Sequence, residues 1–151
     1  MNCPCQSQKP YSQCCQPLHQ GAAAASAEAL MRSRYSAYCL QDIDYIVETT
    51  VPSQQSLLNR ADLQAWSEQT QWCGLDIWHN APKVGKQHAQ VGFTAYFTAD
   101  GTRHEHRELS GFVQINGRWY FLDPTVPLPS MNAVCVCGSA KKFKHCCAKV
   151  M

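Results

Sequence analysis

The clearest hydrophobic periodicity in the chain predicts a helix that begins at Ser26. Apolar and aromatic residues recur there at intervals of three and four, which places them on one helical face. That face comprises Ala27, Leu30, Met31, Arg34, Tyr35 and Tyr38. Ser26 is a typical N-cap residue, because its hydroxyl can accept a hydrogen bond from a free amide of the first turn. The pattern predicts an amphipathic helix that carries one cation, Arg34, within its apolar stripe.

Two more helices are expected before the pattern changes. A short one runs from Asp42 to Glu48 and is ended by Pro52. A third runs from about Arg60 to Trp72.

From Leu75 onward the hydrophobic period changes to two, which is typical of strands. Residues 89–97 alternate apolar and polar side chains and predict a half-buried strand. Asp100-Gly101 and Asn116-Gly117 are sequences favoured in two-residue type I′ turns. Together they predict a three-stranded antiparallel meander.

The two turns also fix which residues face each other across the strands. The first hairpin pairs Ala95 with His106, Phe93 with Glu108 and Val91 with Ser110, and the second pairs Phe112 with Phe121, Gln114 with Trp119 and Ser110 with Asp123. Cross-strand partners share one face of a sheet. That face is therefore aromatic and aliphatic, with four polar groups near its middle: His106, Glu108, Ser110 and Asp123.

Helices followed by an antiparallel meander predict an α+β fold in which helices pack on one face of a curved sheet. Such a fold leaves a pocket at its open end. The polar candidates inside it are Arg34, His106, Glu108, Ser110 and Asp123. These residues allow three interpretations: a structural ion pair of Arg34 with Glu108 or Asp123, a binding site for a small ligand without catalysis, or a cofactor-independent active site in which Glu108 and His106 move a proton.

The cysteines form a repeated pattern at the two ends of the chain. Eight of the ten follow the formula Cys-x-Cys, eight residues, Cys-Cys. They are Cys3, Cys5, Cys14, Cys15, Cys135, Cys137, Cys146 and Cys147. We call residues 3–15 the N-terminal knuckle and residues 135–147 the C-terminal knuckle. Six of their thirteen aligned positions are identical, so a single unit occurs twice.

Four thiolates are a complete ligand set for a tetrahedral structural zinc ion, and we expect up to two such ions per chain. Lysines within the C-terminal knuckle favour deprotonated sulfur. The alternative is a set of disulfides, but neighbouring cysteines such as Cys14 and Cys15 pair poorly with each other. His19 and His145 are alternative ligands. Cys39 and Cys73 are expected to be core thiols, although a nucleophilic pair of Cys73 with His106 remains a further alternative.

Composition excludes several classes of protein. No apolar run approaches the ~20 residues needed to cross a bilayer, and the first residues lack the pattern of a secretory signal. The formal net charge is +2, without a dense basic run, so nucleic acid is not expected as the main partner. RNA contact through Lys141, Lys142, Lys144 and Lys149 is the limited alternative. Zinc-bound thiols predict a reducing, cytoplasmic location.

The C-terminal knuckle, with sequence CVCGSAKKFKHCC, closely resembles the SEC-C motif, the zinc-binding tail of the SecA translocation ATPase. The N-terminal knuckle is similar to a divergent copy. In SecA the motif contacts a chaperone and the ribosome, so the resemblance implies an interaction module and no catalysis.

The rest of the chain resembles the YchJ family of bacterial proteins. The matching segments are residues 26–38, Asp42, Asp44, Tyr45, the Glu108-x-Ser110-x-Phe112 pattern and residues 117–121. The resemblance implies a cystatin-like cone of the kind found in nuclear transport factor two. A histidine often precedes the glutamate directly in that family, whereas Arg107 does so here, which weakens a catalytic role for His106.

The sequence thus predicts three parts: an N-terminal zinc knuckle in residues 1–20, a cystatin-like cone in residues 22–130 and a C-terminal zinc knuckle in residues 133–149. The expected function is that of a cytoplasmic zinc-binding adaptor whose knuckles bind a protein or the ribosome. Its cone would act as a scaffold or bind a small ligand. The alternative is a small isomerase, dehydratase or hydrolase that uses His106 and Glu108.

Overall fold

The computed structural model describes residues 1–151, which form five α-helices, three short 3-10 helices (Tyr11–Gln13, Phe143–His145 and Cys147–Val150) and one antiparallel sheet. The helices are α1 (Cys15–His19), α2 (Ala27–Cys39), α3 (Ile43–Glu48), α4 (Pro52–Gln55) and α5 (Arg60–Gln69). The strands are β1 (Gln71–Val84), β2 (His88–Ala99), β3 (Thr102–Ile115) and β4 (Arg118–Phe121). They lie in the order β1-β2-β3-β4, so each strand pairs with its neighbour in sequence. The predicted α+β class is confirmed. No helix is long and apolar enough to span a bilayer.

Helix α2 begins and packs as its sequence predicts. The hydroxyl of Ser26 accepts a hydrogen bond from the amide of Ala29 at 3.1 Å. Almost the whole predicted face is buried, including Leu30, Met31 and Arg34. This helix therefore presents its apolar stripe, and one guanidinium, to the interior of the cone.

The register of both hairpins is confirmed within the strands, although β4 ends at Phe121, so the predicted pair of Ser110 with Asp123 is not part of the sheet. Ala95 pairs with His106 and Phe93 with Glu108, so both polar side chains lie on the inner face of the sheet. Asp100 adopts a φ of 51° and the following Gly101 a φ of 75°. Two successive left-handed residues define the type I′ turn that this pair predicts.

The sheet contains a fourth strand, β1, in addition to the three strands of the predicted meander. The predicted third helix extends to Trp72, but α5 ends at Gln69 and Trp72 already belongs to β1. The pairing of β1 with β2 is irregular at three places, between Trp72 and Gly74, between Ile77 and His79, and between Ala81 and Val84. Each irregularity shifts the inward and outward alternation by one residue, so no continuous period of two marks this strand.

The segment around Pro52 also differs from the prediction. Helix α3 is capped by Asp42, whose carboxylate accepts from the amide of Tyr45 at 3.2 Å, and it ends at Glu48. Pro52 does not end this helix. It is the first residue of the short helix α4, where a missing amide hydrogen has no cost.

The two knuckles lie on opposite faces of the sheet. Cys3, Cys5 and Cys15 belong to the same buried cluster as α2 and Phe112. The C-terminal cysteines pack instead in a cluster with Val113. Successive side chains of a strand point to opposite faces. The ends of the chain are therefore part of the hydrophobic interior rather than free tails.

Candidate metal centres and the cavity of the cone

The sulfur atoms of the N-terminal knuckle converge on one point. All four, from Cys3, Cys5, Cys14 and Cys15, lie within 4.8 Å of one another. The sulfur of Cys14 is 3.5 Å from that of Cys5 and 3.9 Å from that of Cys15. The C-terminal knuckle repeats this arrangement with Cys135, Cys137, Cys146 and Cys147, and Cys137 lies 3.5 Å from Cys146.

The backbone of the two knuckles is the same, offset by 132 residues. The amide of Cys3 donates to the carbonyl of Lys9 at 2.9 Å, and the amide of Cys135 donates to that of Lys141 at 2.8 Å. One hydroxyl in each, from Ser7 and from Ser139, contacts the equivalent third cysteine. The two copies therefore share equivalent hydrogen bonds although only six of their thirteen residues are identical.

Left-handed residues shape the loop that separates the two cysteine pairs. In the C-terminal knuckle these are Gly138 and Ala140, with φ of 82° and 67°. The N-terminal knuckle holds Gln6 and Gln8 at the equivalent positions with φ of 68° and 71°. The loss of glycine therefore leaves the conformation intact, although a left-handed glutamine costs more than a glycine there.

The sulfur separations fit a metal ion better than a disulfide. A zinc ion with Zn–S bonds of about 2.3 Å would set tetrahedral edges near 3.8 Å, whereas a disulfide requires about 2.05 Å. The separations of 3.5 and 3.9 Å match the first value, and all ten cysteines are free thiols. Both clusters can hold a metal ion, and neither leaves an open ligand position for a substrate.

Sharing of protons within each cluster perturbs the thiol pKa values. A hydrogen bond from Cys15 lowers the pKa of Cys5 to about 4 against the opposing effect of burial. Burial raises the pKa of Cys147, and the neighbouring sulfurs raise it further. The lowered pKa of Cys5 favours its thiolate, whereas Cys147 needs a cation nearby to lose its proton.

Two polar side chains of the central cone domain contact the knuckle sulfurs, and neither was predicted from the sequence. The hydroxyl of Ser36 in α2 lies 3.4 Å from the sulfur of Cys3 and 3.4 Å from that of Cys15. Nε2 of His88, the first residue of β2, lies 3.4 Å from the sulfur of Cys147 and 3.8 Å from that of Cys146. No local sequence pattern marks His88 as a partner, because it lies 58 positions before Cys146 in the chain.

The two histidines considered as substitute ligands are not in the clusters. His19 contacts the hydroxyl of Tyr11 through Nδ1 at 2.6 Å and the carbonyl of Ser33 through Nε2 at 2.8 Å. Both of its nitrogens are thus engaged elsewhere. His145 is exposed and belongs to neither group of converging ligand atoms.

A cavity of about 560 Å³ lies between the helices and the inner face of the sheet. All five polar candidates line it: Arg34, His106, Glu108, Ser110 and Asp123. Aromatic side chains form much of the remaining wall, among them Tyr38, Trp66, Trp72 and Phe93. The prediction that these five residues line one pocket is therefore confirmed.

The predicted ion pair of Arg34 is wrong. No carboxylate of Glu108 or Asp123 forms a salt bridge with its guanidinium. Instead Nη1 donates to the carbonyl of Ile46 at 2.8 Å and to the hydroxyl of Thr49 at 2.7 Å. The guanidinium also lies over the ring of Phe121, 4.4 Å from its centroid. A buried carbonyl and a hydroxyl near the end of α3 offer acceptors that lie closer than the carboxylates across the cavity.

His106 and Glu108 form an ion pair at the rim of the cavity, with Nε2 and Oε1 3.6 Å apart. The hydroxyl of Ser110 donates to the other carboxylate oxygen. Burial opposes ionisation of Glu108, but these two partners outweigh it and lower its pKa. The hydrogen bond to Glu108 raises the pKa of His106. The carboxylate is thus held ionised, which suits a base better than an acid.

The two remaining cysteines do not take part in a nucleophilic pair. The prediction that Cys73 is a core thiol is wrong, because Cys73 is exposed. It does not line the cavity, so it does not meet His106. Cys39 is half-buried, and burial raises its pKa to about 12. A thiol in that state is a poor nucleophile.

Comparison with known proteins agrees with these features. A family model described as "YchJ, middle NTF2-like domain" matches residues 26–124, and one described as "SEC-C motif" matches residues 131–149. A UPF0225 protein of Actinobacillus succinogenes is 51% identical over 96% of this chain and 95% of its own length. A UPF0225 protein of Haemophilus influenzae is 52% identical over 97% of this chain and 91% of its own.

Two solved structures are similar over most of their length. A SEC-C motif containing protein from Psychrobacter arcticus superposes with a TM-score of 0.91 at 42% identity, covering 99% of this chain and 96% of that one. A SEC-C motif containing protein from Rhodopseudomonas palustris gives a TM-score of 0.74 at 42% identity, covering 82% of this chain and 96% of that one. From the middle-domain match and the full-length relatives together, the chain belongs to the YchJ family, UPF0225.

Proposed function

We propose that this protein is a zinc-binding accessory protein of the reducing cytoplasm, in which two structural zinc ions fasten the ends of the chain to a ligand-binding cone. The observation that carries the proposal is the exact repetition of a four-sulfur cluster at the two ends. Soft thiolate ligands favour zinc over magnesium or calcium. A closed set of four supports a structural rather than a catalytic ion.

Zinc would act here on the packing of the whole molecule. The cysteines lie in the same buried clusters as residues of α2 and β3. A metal-fixed knuckle would therefore hold the N-terminal end of the chain against α2 and the C-terminal end against β3. Structural zinc contributes on the order of 10 kcal/mol in small modules, which is comparable with the whole stability of a typical domain, about 5–15 kcal/mol.

A chelation experiment tests this role. We expect a strong chelator to remove both ions and to abolish cooperative thermal unfolding, with near-ultraviolet circular dichroism lost in parallel. Re-addition of zinc, but not of magnesium, should restore both signals. Unchanged unfolding after complete removal of metal would contradict a structural role.

The surface of the C-terminal knuckle supports the adaptor part of the proposal. Lys141, Lys142 and Lys144 are exposed on the same short segment, which favours a partner with a negatively charged surface, either an acidic protein or the ribosome. Changing the three lysines to glutamate should abolish co-sedimentation with ribosomes or binding to an acidic protein partner. Lys83→Glu with Lys86→Glu, in the hairpin between β1 and β2, is the matched control and should bind as the unchanged protein does.

The alternative enzymatic function is favoured by one observation, the ion pair of His106 with Glu108 at the mouth of an apolar cavity. An ionised carboxylate beside an imidazole can move a proton between two atoms of a substrate without a cofactor. That chemistry suits an isomerase, a dehydratase or a hydrolase. Glu108→Gln should then abolish turnover with little change in stability, whereas a loss of stability alone would favour the scaffold.

A further inference from the structure

The cavity of the cone has the size and lining of a small-molecule site. Its volume of about 560 Å³ lies within the usual range for such sites. Fourteen of the 24 residues that line it are hydrophobic. A ligand for this cavity must therefore be largely apolar, and its polar groups must match the few polar atoms that the wall provides.

Arg34 is the most deeply placed charge in that wall. The residue is only 8% exposed, and all of its hydrogen bonds leave from Nη1. A guanidinium carries five N–H donors on three nitrogens, so the edge formed by Nε and Nη2 has no protein acceptor. No carboxylate compensates its charge through a salt bridge. Glu108 and Asp123 act on this charge only from across the cavity, whereas a carboxylate brought by a ligand would pair with it directly.

Trp72 forms another part of the wall. Its Nε1 makes no hydrogen bond, but this atom has no solvent-accessible surface and so does not face the open space of the cavity. The Trp72 ring can therefore report on a bound ligand, while the unused donors come from Arg34.

Several acceptors of the cavity already have donors. One oxygen of Glu108 accepts from Ser110 and the other faces His106. Oδ1 of Asp123 accepts from the amide of Thr125 at 2.8 Å and from its hydroxyl at 2.6 Å, whereas Oδ2 accepts no hydrogen bond. The free edge of Arg34 nevertheless offers paired N–H groups that match a planar carboxylate, so an amine is the competing ligand class that the test must include.

We propose that the cavity binds an apolar molecule through a single carboxylate, which pairs with the free edge of Arg34. This inference rests on the proposed ligand-binding role of the cone. A carboxylate fits because its two oxygens match the planar fork of a guanidinium. A doubly charged phosphate fits less well, because the carboxylates of Glu108 and Asp123 line the same space.

Three probes with the same apolar body test the proposal on the unchanged protein at neutral pH: phenylhexanoate, phenylhexanol and phenylhexylamine. Their affinities are measured by calorimetry, and the indole N–H signals of the tryptophans are followed by NMR. We expect the carboxylate to bind at least about tenfold tighter than the other two, as a charge-assisted hydrogen bond predicts. The Trp72 signal should shift, whereas that of Trp78, which does not line the cavity, should not.

Variants then locate the carboxylate. Arg34→Met should abolish the preference for phenylhexanoate over phenylhexanol, and Arg34→Lys should retain only part of it. Arg103→Met, on an exposed arginine that lies over Tyr96 outside the cavity, is the control and should leave the preference intact.

The outcomes separate this inference from the ligand-binding role on which it rests. Equal binding of all three probes, or tightest binding of the amine, would overturn the carboxylate class while leaving a binding cavity. Failure of every probe to bind would overturn both, and the metal content of the protein would still test the zinc sites independently. Since the comparison of probes needs no variant, it decides the proposal even where Arg34→Met fails to fold.

Discussion

At the scale of single residues, one polar side chain of the central cone domain contacts the sulfurs of each knuckle. Ser36 contacts sulfurs of the N-terminal knuckle, and His88 contacts sulfurs of the C-terminal knuckle. When these sulfurs are metal-bound thiolates, both partners can donate a hydrogen bond to them. Groups of this kind orient metal ligands and disperse their negative charge.

The contact of His88 predicts a measurable effect on metal retention. We expect His88→Ala to release zinc from the C-terminal knuckle roughly 10- to 100-fold more readily in a competition with a chromogenic chelator. The N-terminal knuckle should keep its ion and serves as an internal control. Equal retention by both knuckles in the variant would contradict a role for His88.

A second residue-scale effect concerns the pair of His106 and Glu108. The hydrogen bond to Glu108 raises the pKa of His106, so its contribution to stability is present below the ordinary histidine pKa of about 6.5 and is lost as the pH rises through the higher folded value. The lowered pKa of Glu108 places the other limit below the ordinary glutamate value of about 4.3. The pair thus stabilises the fold between these limits.

The variant His106→Gln tests this dependence. Because the imidazole side chain is 48% exposed, we expect it to lose no more than about 1 kcal/mol at a pH of about 6 and almost nothing at a pH of about 9. Chemical denaturation at both pH values measures the difference. The exposed neighbour His104, which forms no ion pair, provides the control His104→Gln, for which the two losses should be equal.

At the scale of secondary-structure elements, β3 and the last residues of the chain approach each other very closely. A Cβ atom added to Gly111 would lie 2.5 Å from the carbonyl oxygen of Val150 and 3.0 Å from its Cγ2. Glycine is required at this position because the backbone of the segment Cys147–Val150 occupies the space of a side chain. The C-terminal knuckle is thus seated directly on the strand.

We expect Gly111→Ala to destabilise the protein by about 1–3 kcal/mol, the usual cost of overpacking, and to loosen the C-terminal zinc site. Thermal unfolding and chelator competition measure the two effects. Gly92→Ala is a matched control, since the atoms nearest to its Cβ belong to the ring of Trp78, which is 41% exposed and can move aside. A larger effect at Gly92 than at Gly111 would show that the close approach is unimportant.

The elements also show which parts of the structure a sequence encodes locally. The register of β2, β3 and β4 follows from two turns whose residues dictate their own geometry, so it was predictable to the residue. Strand β1 could not be predicted as a separate strand, because its irregular pairing breaks the alternation of apolar and polar residues by which a strand is identified in a sequence. The acceptors of Arg34 were missed for another reason. They are backbone and hydroxyl groups at the end of α3, which the pattern of charges does not reveal.

The metal sites divide in the same way. The cysteines were predictable because each set is close in sequence and the set occurs twice. That the knuckles would be built into the interior was not predictable, since this depends on the packing of Cys3 and Cys147 against distant residues of α2 and β3. The same applies to His88.

At the scale of the whole molecule, one helix connects the two functional parts. The serine of α2 that contacts the N-terminal sulfurs, Ser36, lies two residues from Arg34 and two from Tyr38, both of which line the cavity. On the other face of the sheet, the C-terminal residues cover β3 at Gly111 and Val113. Both sites therefore depend on the same sheet and helix, and we expect loss of metal to impair binding in the cavity.

The central claim is that each knuckle holds one zinc ion through four thiolates, and elemental analysis combined with a thiol count tests it most directly. The protein is purified under reducing conditions without added metal, its zinc is measured per chain, and its thiols are titrated before and after chelation. We predict two zinc ions per chain, with Cys73 reacting at once, Cys39 slowly and the other eight cysteines only after the metal is removed. Less than one zinc per chain, together with cysteines oxidised in pairs, would contradict the account.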